Sequence, residues 1–373
     1  MDIDILDLSI KIISVIFSFI IINIIFVIIS ENRNPLKSIA WIIVLAMVPM
    51  IGFIFYLFFG KNYRKRKLIS KNSLKKFKNK SPKYEANKVE YSSGISEENM
   101  GLAQLLYASN HSILYEKNDI DIYTDGESAF SSLFKAIEQA QQHIHVQFFI
   151  VEEGEIANRL QKILIEKAKK GIEVRFIYDG LGSFKLNKKY IRKMEKAGIK
   201  TGVFLPVRFS FLSNKVNYRN HRKLVVIDGK TGFIGGMNVA DRYVYGNKLG
   251  PWRDTLMKIQ GHAVHGLQQS FLIDWYFIKK TFIHTEKYYP IPITHGNKLI
   301  QIAGSGPDSD WKSLLHAFCK IISSAKKYVY LQTPYFLPPE SLLHNMKIAA
   351  FSGVDVRLLI SENSDAKVTN TAS

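Results

Sequence analysis

Two apolar runs within the first sixty residues limit what this chain can fold into more than any other feature. Residues 8–30 and 38–60 are 23 residues each and almost wholly apolar. A helix needs about 20 such residues to cross a bilayer. The one full charge inside either run is Lys11, near an end, where its stem can reach the headgroups. A signal peptide starts basic and has a shorter apolar stretch, whereas this chain starts MDIDILD. Pro49 and Gly52 fall in the second run, and membrane helices tolerate both. The expectation is a two-helix transmembrane hairpin over residues 1–60, with helices at 8–30 and 38–60.

Charge gives the orientation. Of a net charge of +19 over 373 residues, +11 sits between Lys61 and Lys88, in 12 Lys+Arg against the single acid Glu85. Basic residues that follow a membrane helix stay on the cytoplasmic side, and such clusters attract anionic lipid. Basic runs also bind nucleic acid, but this one is joined directly to an apolar helix, so an anionic membrane is the expected partner and nucleic acid is not. Residues 61–100 read as a basic juxtamembrane linker. The single cysteine, Cys319, excludes an internal disulfide and a cysteine-built metal site.

From about residue 101 the pattern is globular. Strand, helix, strand and helix alternate through 121–179, which argues for an α/β sheet with helices packed on it. The order then recurs. Residues 132–151 parallel 313–336, and 169–179 parallel 350–361; Gln147 falls opposite Gln332 and Gly171 opposite Gly353, at offsets of 185 and 182. A duplicated domain is expected, with a first half over 101–285 and a second over 286–373.

Between the halves lies NHRKLVVIDGKTGFIGGMN, residues 220–238. His221 and Lys223 are two apart, so on a strand they share a face. Leu224–Ile227 is an apolar run of the kind found in a strand covered on both sides, and Asp228–Gly229–Lys230 is a turn signal. A neutral imidazole is a nucleophile near pH 7, and the Lys223 ammonium can hold a phosphate oxygen. Asn238 can donate a further hydrogen bond, Asp228 can orient an imidazole or satisfy its loop, and Gly235 and Gly236 allow close backbone approach. The chemistry so described is phosphodiester exchange through a phosphohistidine. His143 and His145 share a face with Gln147, with no carboxylate at ligand spacing, and read as strand histidines near the surface or the site. His262 and His265 read as a solvated helix face, Trp252–Asp254 as a boundary of the pocket, Cys319 as core, and 203–220 as core loop or interfacial surface.

The 220–238 segment resembles the HKD motif of the phospholipase D superfamily, and the chain resembles its bacterial cardiolipin synthases. Residues 32–67 resemble the anchor region, 251–275 the stretch after the first motif, and 301–308 and 332–343 the opening of the second half. Leu256 stands where the family often carries His. The resemblance implies a phospholipase D-like duplicated α/β sandwich and a membrane-bound transferase that joins two phosphatidylglycerol molecules with release of glycerol. It implies His221, Lys223 and Asp228 as the catalytic triad, with Asn238 as its trailing residue and no metal or other cofactor. Gly235, Gly236, Gln147 and Gln332 are the further candidates around the substrate. A multi-pass protein of the bacterial inner membrane with a cytoplasmic catalytic part is expected. The superfamily site has two such motifs and this sequence has one; counting 50 residues from Gly353, as His221 follows Gly171, places the second at 403. The second half is therefore expected to be incomplete, and the chain inactive alone.

Overall fold

The computed structural model describes residues 2–30, 35–56, 60, 95–206, 219–283, 285–293, 296–306 and 309–362. It divides into two compact units, one built from the N-terminal helices and the other holding the sheets. Most of the 61–100 linker, and 207–218 within the expected interfacial segment, lie outside the described residues.

In the first unit, α1 (Asp2–Ser30) is unbroken for 29 residues, a rise of about 43 Å. Its stretch Lys11–Ile29 has a mean hydropathy of 3.2 and is almost unburied, and Lys11 pairs with Asp7 one turn earlier. The second apolar run does not form the continuous helix expected over 38–60. It divides into α2 (Pro35–Met47) and α3 (Pro49–Phe55). Pro49 lacks an N–H and drives its predecessor out of the helical region, and Val48 sits at φ −135°, ψ 71°. A side chain at Gly52 would lie 2.8 Å from the Val44 carbonyl, so the bend closes only on glycine. Ile21, Ile28, Leu45 and Tyr56 form the small core of this unit.

The second unit runs α4 (Glu97–Asn110), β1 (Leu114–Tyr123), α5 (Gly126–Glu138), β2 (His143–Phe148), α6 (Glu155–Lys169), β3 (Glu173–Asp179), α7 (Lys188–Lys196) and β4 (Lys200–Phe204). It continues β5 (Leu224–Ile227), β6 (Thr231–Gly235), α8 (Arg242–Tyr245), β7 (Leu256–Gly261), α9 (Val264–Lys279), β8 (Lys298–Gln301), α10 (Ser313–Ser324), β9 (Tyr328–Thr333), α11 (Glu340–Phe351) and β10 (Asp355–Ile360). Eight strands form one sheet in the order β4-β3-β2-β5-β6-β7-β1-β8. Within this sheet the β2–β3 and β3–β4 pairings are parallel and the others antiparallel.

Helices cover both faces. Ile144, Val146, Phe148, Val225 and Ile227 pack with α5, α6 and α7. Leu224 and Val226 pack on the other face with Leu267, Phe271 and Trp275 of α9. All four residues of β5 are buried, which is why its sequence is apolar without alternation. A Leu, Val or Ile so buried contributes roughly 1.5–3 kcal/mol.

The repeat is present in the backbone. Strand β9 pairs in parallel with β10, as β2 does with β3. Gln147 lies opposite Ile177 and Gln332 opposite Leu359, which reproduces both sequence offsets. Gly171 and Gly353 close the crossover helices at φ +84° and +88°, a left-handed conformation that a Cβ disfavours.

Candidate active site

The site begins where β2 ends. Phe149, the next residue, lies under the imidazole of His221 with ring centroids 3.8 Å apart and 19° between planes. The ammonium of Lys223 is 5.4 Å from the centroid of the same ring and donates to the His221 carbonyl at 2.7 Å. The two side chains therefore share one aromatic platform, although they sit on the extended lead-in to β5 and not within the strand. His221 is exposed on its other side.

Asp274 of α9 holds this lead-in. Its carboxylate accepts from Asn220 Nδ2 and Gln147 Nε2, each at 2.7 Å, and from the Arg222 guanidinium. The Asn220 side chain also accepts from the Arg222 N–H at 3.0 Å. His221 thus stands between two residues fixed by one buried carboxylate. On the far side of Lys223, Asp254 caps its own loop by accepting from the Thr255 N–H at 2.7 Å. Arg253 donates to Gln332 of β9 at 3.0 Å, joining this loop to the second half.

The electrostatics follow from partial burial. Burial and then the charge of Lys223 lower the pKa of His221, against the pull of Asp179. The imidazole is therefore neutral at pH 7 with its nitrogen lone pair available. Burial also pushes Lys223 down to about 8, against the opposing charge of Asp254, and raises the carboxyl of Asp254 itself.

Several expected site residues serve the frame. Asp228 lies seven residues beyond His221, about 23 Å along an extended chain. Its carboxylate accepts the N–H groups of Gln141, Gln142 and His143 at 2.8, 2.7 and 2.9 Å. It pins the β5–β6 turn to the entry of β2 and does not touch the imidazole. Asn238 is buried with both ends engaged: Oδ1 accepts from Ile150 N–H, and Nδ2 donates to the Tyr243 hydroxyl. Side chains at Gly235 and Gly236 would strike the Thr255 carbonyl and the Asp254 carboxylate, at 2.2 and 2.0 Å. These glycines let two protein strands close up. Gln147 is buried against Asp274 and acts through it, while Gln332 is exposed and meets Arg253.

The other histidines are also placed. His143 and His145 are fully buried against α9, not near the surface, and both meet the side-chain oxygen of Gln268 at 3.2 Å. Arg175 donates to His145 Nε2 at 3.1 Å and to the Tyr288 hydroxyl at 2.7 Å. His265 is buried, not solvated, and donates to the Pro290 carbonyl at 2.9 Å. Cys319 is half-buried. Leu256 is buried in the core at the start of β7. The residues that sequence reasoning passed over are Phe149, which reads as one more strand aromatic, and Asp274, the lone acid in an apolar helix. The only available signal for Asp274 was a carboxylate on a face that otherwise packs.

Residues 133–275 and 318–373 match the family described as cardiolipin synthase, PLD-like domain, and residues 12–61 match the phospholipase D-nuclease N-terminal family. A cardiolipin synthase of Geobacillus sp. (strain WCH70) is 41% identical over 366 residues, 96% of this chain and 72% of that protein. The chain belongs to the cardiolipin synthase family of the phospholipase D superfamily. The major cardiolipin synthase of Bacillus subtilis (strain 168) is 40% identical over 359 residues, 93% of this chain and 74% of that one. Among solved structures, a phosphatidylserine synthase from Haemophilus influenzae Rd KW20 shares the fold. Its TM-score is 0.50 at 14% identity, over 71% of this chain and 66% of that one. The mixed α/β architecture expected from the sequence is therefore that of the cardiolipin synthase family.

Proposed function

We propose that this chain is a membrane-bound phosphatidyltransferase making cardiolipin from two phosphatidylglycerol molecules, with His221 as the group that carries the phosphatidyl. An imidazole nitrogen attacks phosphorus, the bond to the glycerol oxygen breaks, and glycerol leaves with a proton drawn from solvent, which the acceptor hydroxyl returns in the next step. The hydroxyl of a second phosphatidylglycerol then attacks, loses its proton, and frees the imidazole as cardiolipin forms. Lys223 holds a non-bridging oxygen as charge builds on it. Asp228 and Asn238 act on the frame and not on the reacting atoms. The observation that carries this reading is the shared platform: His221 and Lys223 lie on the one ring of Phe149, the first neutral and the second cationic at pH 7. The unbroken apolar helix α1 supports a membrane anchor, the second apolar run at 38–60 is read as its return pass, and the +11 block after residue 60 supports a catalytic part in the cytoplasm, against anionic lipid.

The test uses the full chain with phosphatidylglycerol labelled in the phosphatidyl group. The expected result is an acid-labile, base-stable adduct on the peptide holding His221, absent from His221→Ala, with little or no turnover to labelled cardiolipin from the one motif in these 373 residues; full turnover would overturn the expected inactivity. Labelled phosphatidic acid without cardiolipin would make the chain a hydrolase, and neither adduct nor product would leave it a lipid binder.

A further inference from the structure

The surface at residues 181–200 has no part in the transfer reaction, and its composition is unusual. Five exposed basic residues, Lys188, Lys189, Arg192, Lys193 and Lys196, stand on the nine-residue helix α7, with Lys185 before it and Lys200 after it. The one acid of the segment, Glu195, is taken up by Thr201. Among the described residues, none of these seven cations is in an ion pair. The nearby acids are already engaged: Glu152 pairs with Arg242, and Glu153 accepts the Asn187 N–H. Lys188 and Lys189 occupy the first turn of α7, which holds no acid. The helix dipole disfavours positive charge there, so the helix carries these lysines against its own stability.

Beside the charges are two uncovered apolar residues. Phe184 is 66% exposed and Leu181 36%. They do not hang on a loose loop. Asp179 accepts the N–H groups of Leu181 and Gly182 at 2.8 and 3.0 Å. Ser183 donates to the Phe149 carbonyl at 3.1 Å and accepts the Val151 N–H at 3.0 Å. The turn is fastened to the protein, and the aromatic ring is held outward. A side chain at Gly182 would come within 2.4 Å of the Phe149 carbonyl and 2.9 Å of its ring. The surface thus starts against the residue that supports His221.

We propose that residues 181–200 form a docking surface for an anionic phospholipid bilayer, separate from the N-terminal anchor: Phe184 and Leu181 enter the headgroup layer and the α7 cations lie on lipid phosphates. Charge complementarity selects this occupant. A largely exposed aromatic, with Lys185 5.7 Å from its centroid, beside a leucine in a field of cations that form no ion pair among the described residues fits a membrane interface, where apolar side chains insert and basic ones meet headgroups. A nucleic acid satisfies the charges but leaves Leu181 in water. Docking here places the surface of the bilayer beside Phe149. The proposal rests on the lipid nature of the substrate in the reading above, but on no step of the transfer.

The test keeps the full chain and its anchor. Cys319→Ser removes the only thiol, and Phe184→Cys receives an environment-sensitive dye. The protein is reconstituted in vesicles of phosphatidylcholine alone or with about one-third phosphatidylglycerol, amounts chosen so that basic clusters respond to surface charge. The expected result is a blue shift and quenching by spin-labelled lipid only when phosphatidylglycerol is present. Both should be lost with Lys188→Glu, Lys189→Glu, Arg192→Glu and Lys193→Glu combined. Those residues are exposed and acids suit a helix start, so the variant is expected to melt at the parent temperature. Equal quenching by aqueous iodide with and without phosphatidylglycerol overturns the proposal. So does a dye response to an oligonucleotide but not to anionic vesicles. Because the dye reports position and not turnover, an inactive protein that docks, or an active one that does not, separates this inference from the transfer reading.

Discussion

Asp228→Asn distinguishes a carboxylate that does chemistry from one that holds the fold. The native side chain accepts three backbone N–H groups, of Gln141, Gln142 and His143. Gln141 and Gln142 are exposed, so water can replace part of what their amides lose. The His143 amide is buried and has no such substitute. Asparagine keeps one acceptor oxygen but loses the charge, and charge-assisted bonds are about twice as strong as neutral ones. Its NH2 group also faces a donor. With roughly 1–3 kcal/mol for the buried amide and about 0.5–1 kcal/mol for each partly hydrated one, the loss is about 2–5 kcal/mol. At about 2–4 °C per kcal/mol for a unit of this size, Tm should fall by roughly 4–20 °C. The assay is thermal unfolding of the detergent-solubilised chain, followed by the fluorescence of Trp252 and Trp275. It is paired with adduct formation on His221 measured well below the transition. Asp228→Asn should melt early yet form the adduct per folded molecule, whereas exposed His221→Ala should melt within about 1 kcal/mol of the parent and form none. If Asp228→Asn melts at the parent temperature and forms no adduct, the structural assignment of Asp228 is wrong.

Acid should destabilise the second unit through its buried histidines. Burial lowers His143 to about 4 and His145 to about 3, so on acidification the unfolded chain takes up their protons first. This stability is fully present above about pH 6.5 and is lost as pH falls toward 4, by roughly 3 kcal/mol for His143 alone. A denaturation midpoint in urea that stays flat between pH 6.5 and 4 would contradict this. The rate of adduct formation should decline as pH rises through about 8, where Lys223 loses its proton. Lys223→Arg should abolish the decline, and Lys223→Met should slow the reaction about 100-fold or more at pH 7. Asn238→Ala strands the Ile150 amide and the Tyr243 hydroxyl and should cost about 2 kcal/mol in unfolding experiments. Its KM for lipid is expected to equal the parent value.

What the sequence made legible was what repeats locally or is tied to a period. The Leu224–Ile227 run reads as a strand covered on both faces because all four residues must be apolar, and all four are buried. The offsets of 185 and 182 survive as strand register, because the crossover helix needs a glycine in the left-handed conformation at its end in both halves. Illegible were the contacts that close over long separations. Asp228 meets residues 85–87 positions away, so its spacing within the motif discloses a pattern but not a partner. Phe149 follows an aromatic strand and gives no sign that its face is open. The division at Val48–Pro49 was illegible because membrane helices tolerate proline, whereas here the missing Pro49 N–H and the displacement of Val48 from the helical region break the run.

The polar face of β2 explains why His221 is held so firmly. His143, His145 and Gln147 alternate toward α9, where a bare polar group is costly. Gln268 meets Nε2 of His143, Gln268 and Arg175 meet the two nitrogens of His145, and Asp274 accepts from Nε2 of Gln147, while His143 Nδ1 and Gln147 Oε1 find no partner among the described residues. Asp274 then has lone pairs left for Asn220 and Arg222, the neighbours of His221 on either side. In β9 the corresponding positions are Tyr328, Tyr330 and Gln332, so two of the three polar groups are replaced and the glutamine remains. It is the one that reaches the site, through Arg253 and the loop that carries Asp254. Each half thus supplies one glutamine to the frame around Phe149, the first through the segment that bears His221 and Lys223 and the second through the loop facing Lys223. A change at either glutamine should therefore act on the spacing of His221 and Lys223 and not on their charges. The pH dependence would then stay in place while the rate falls.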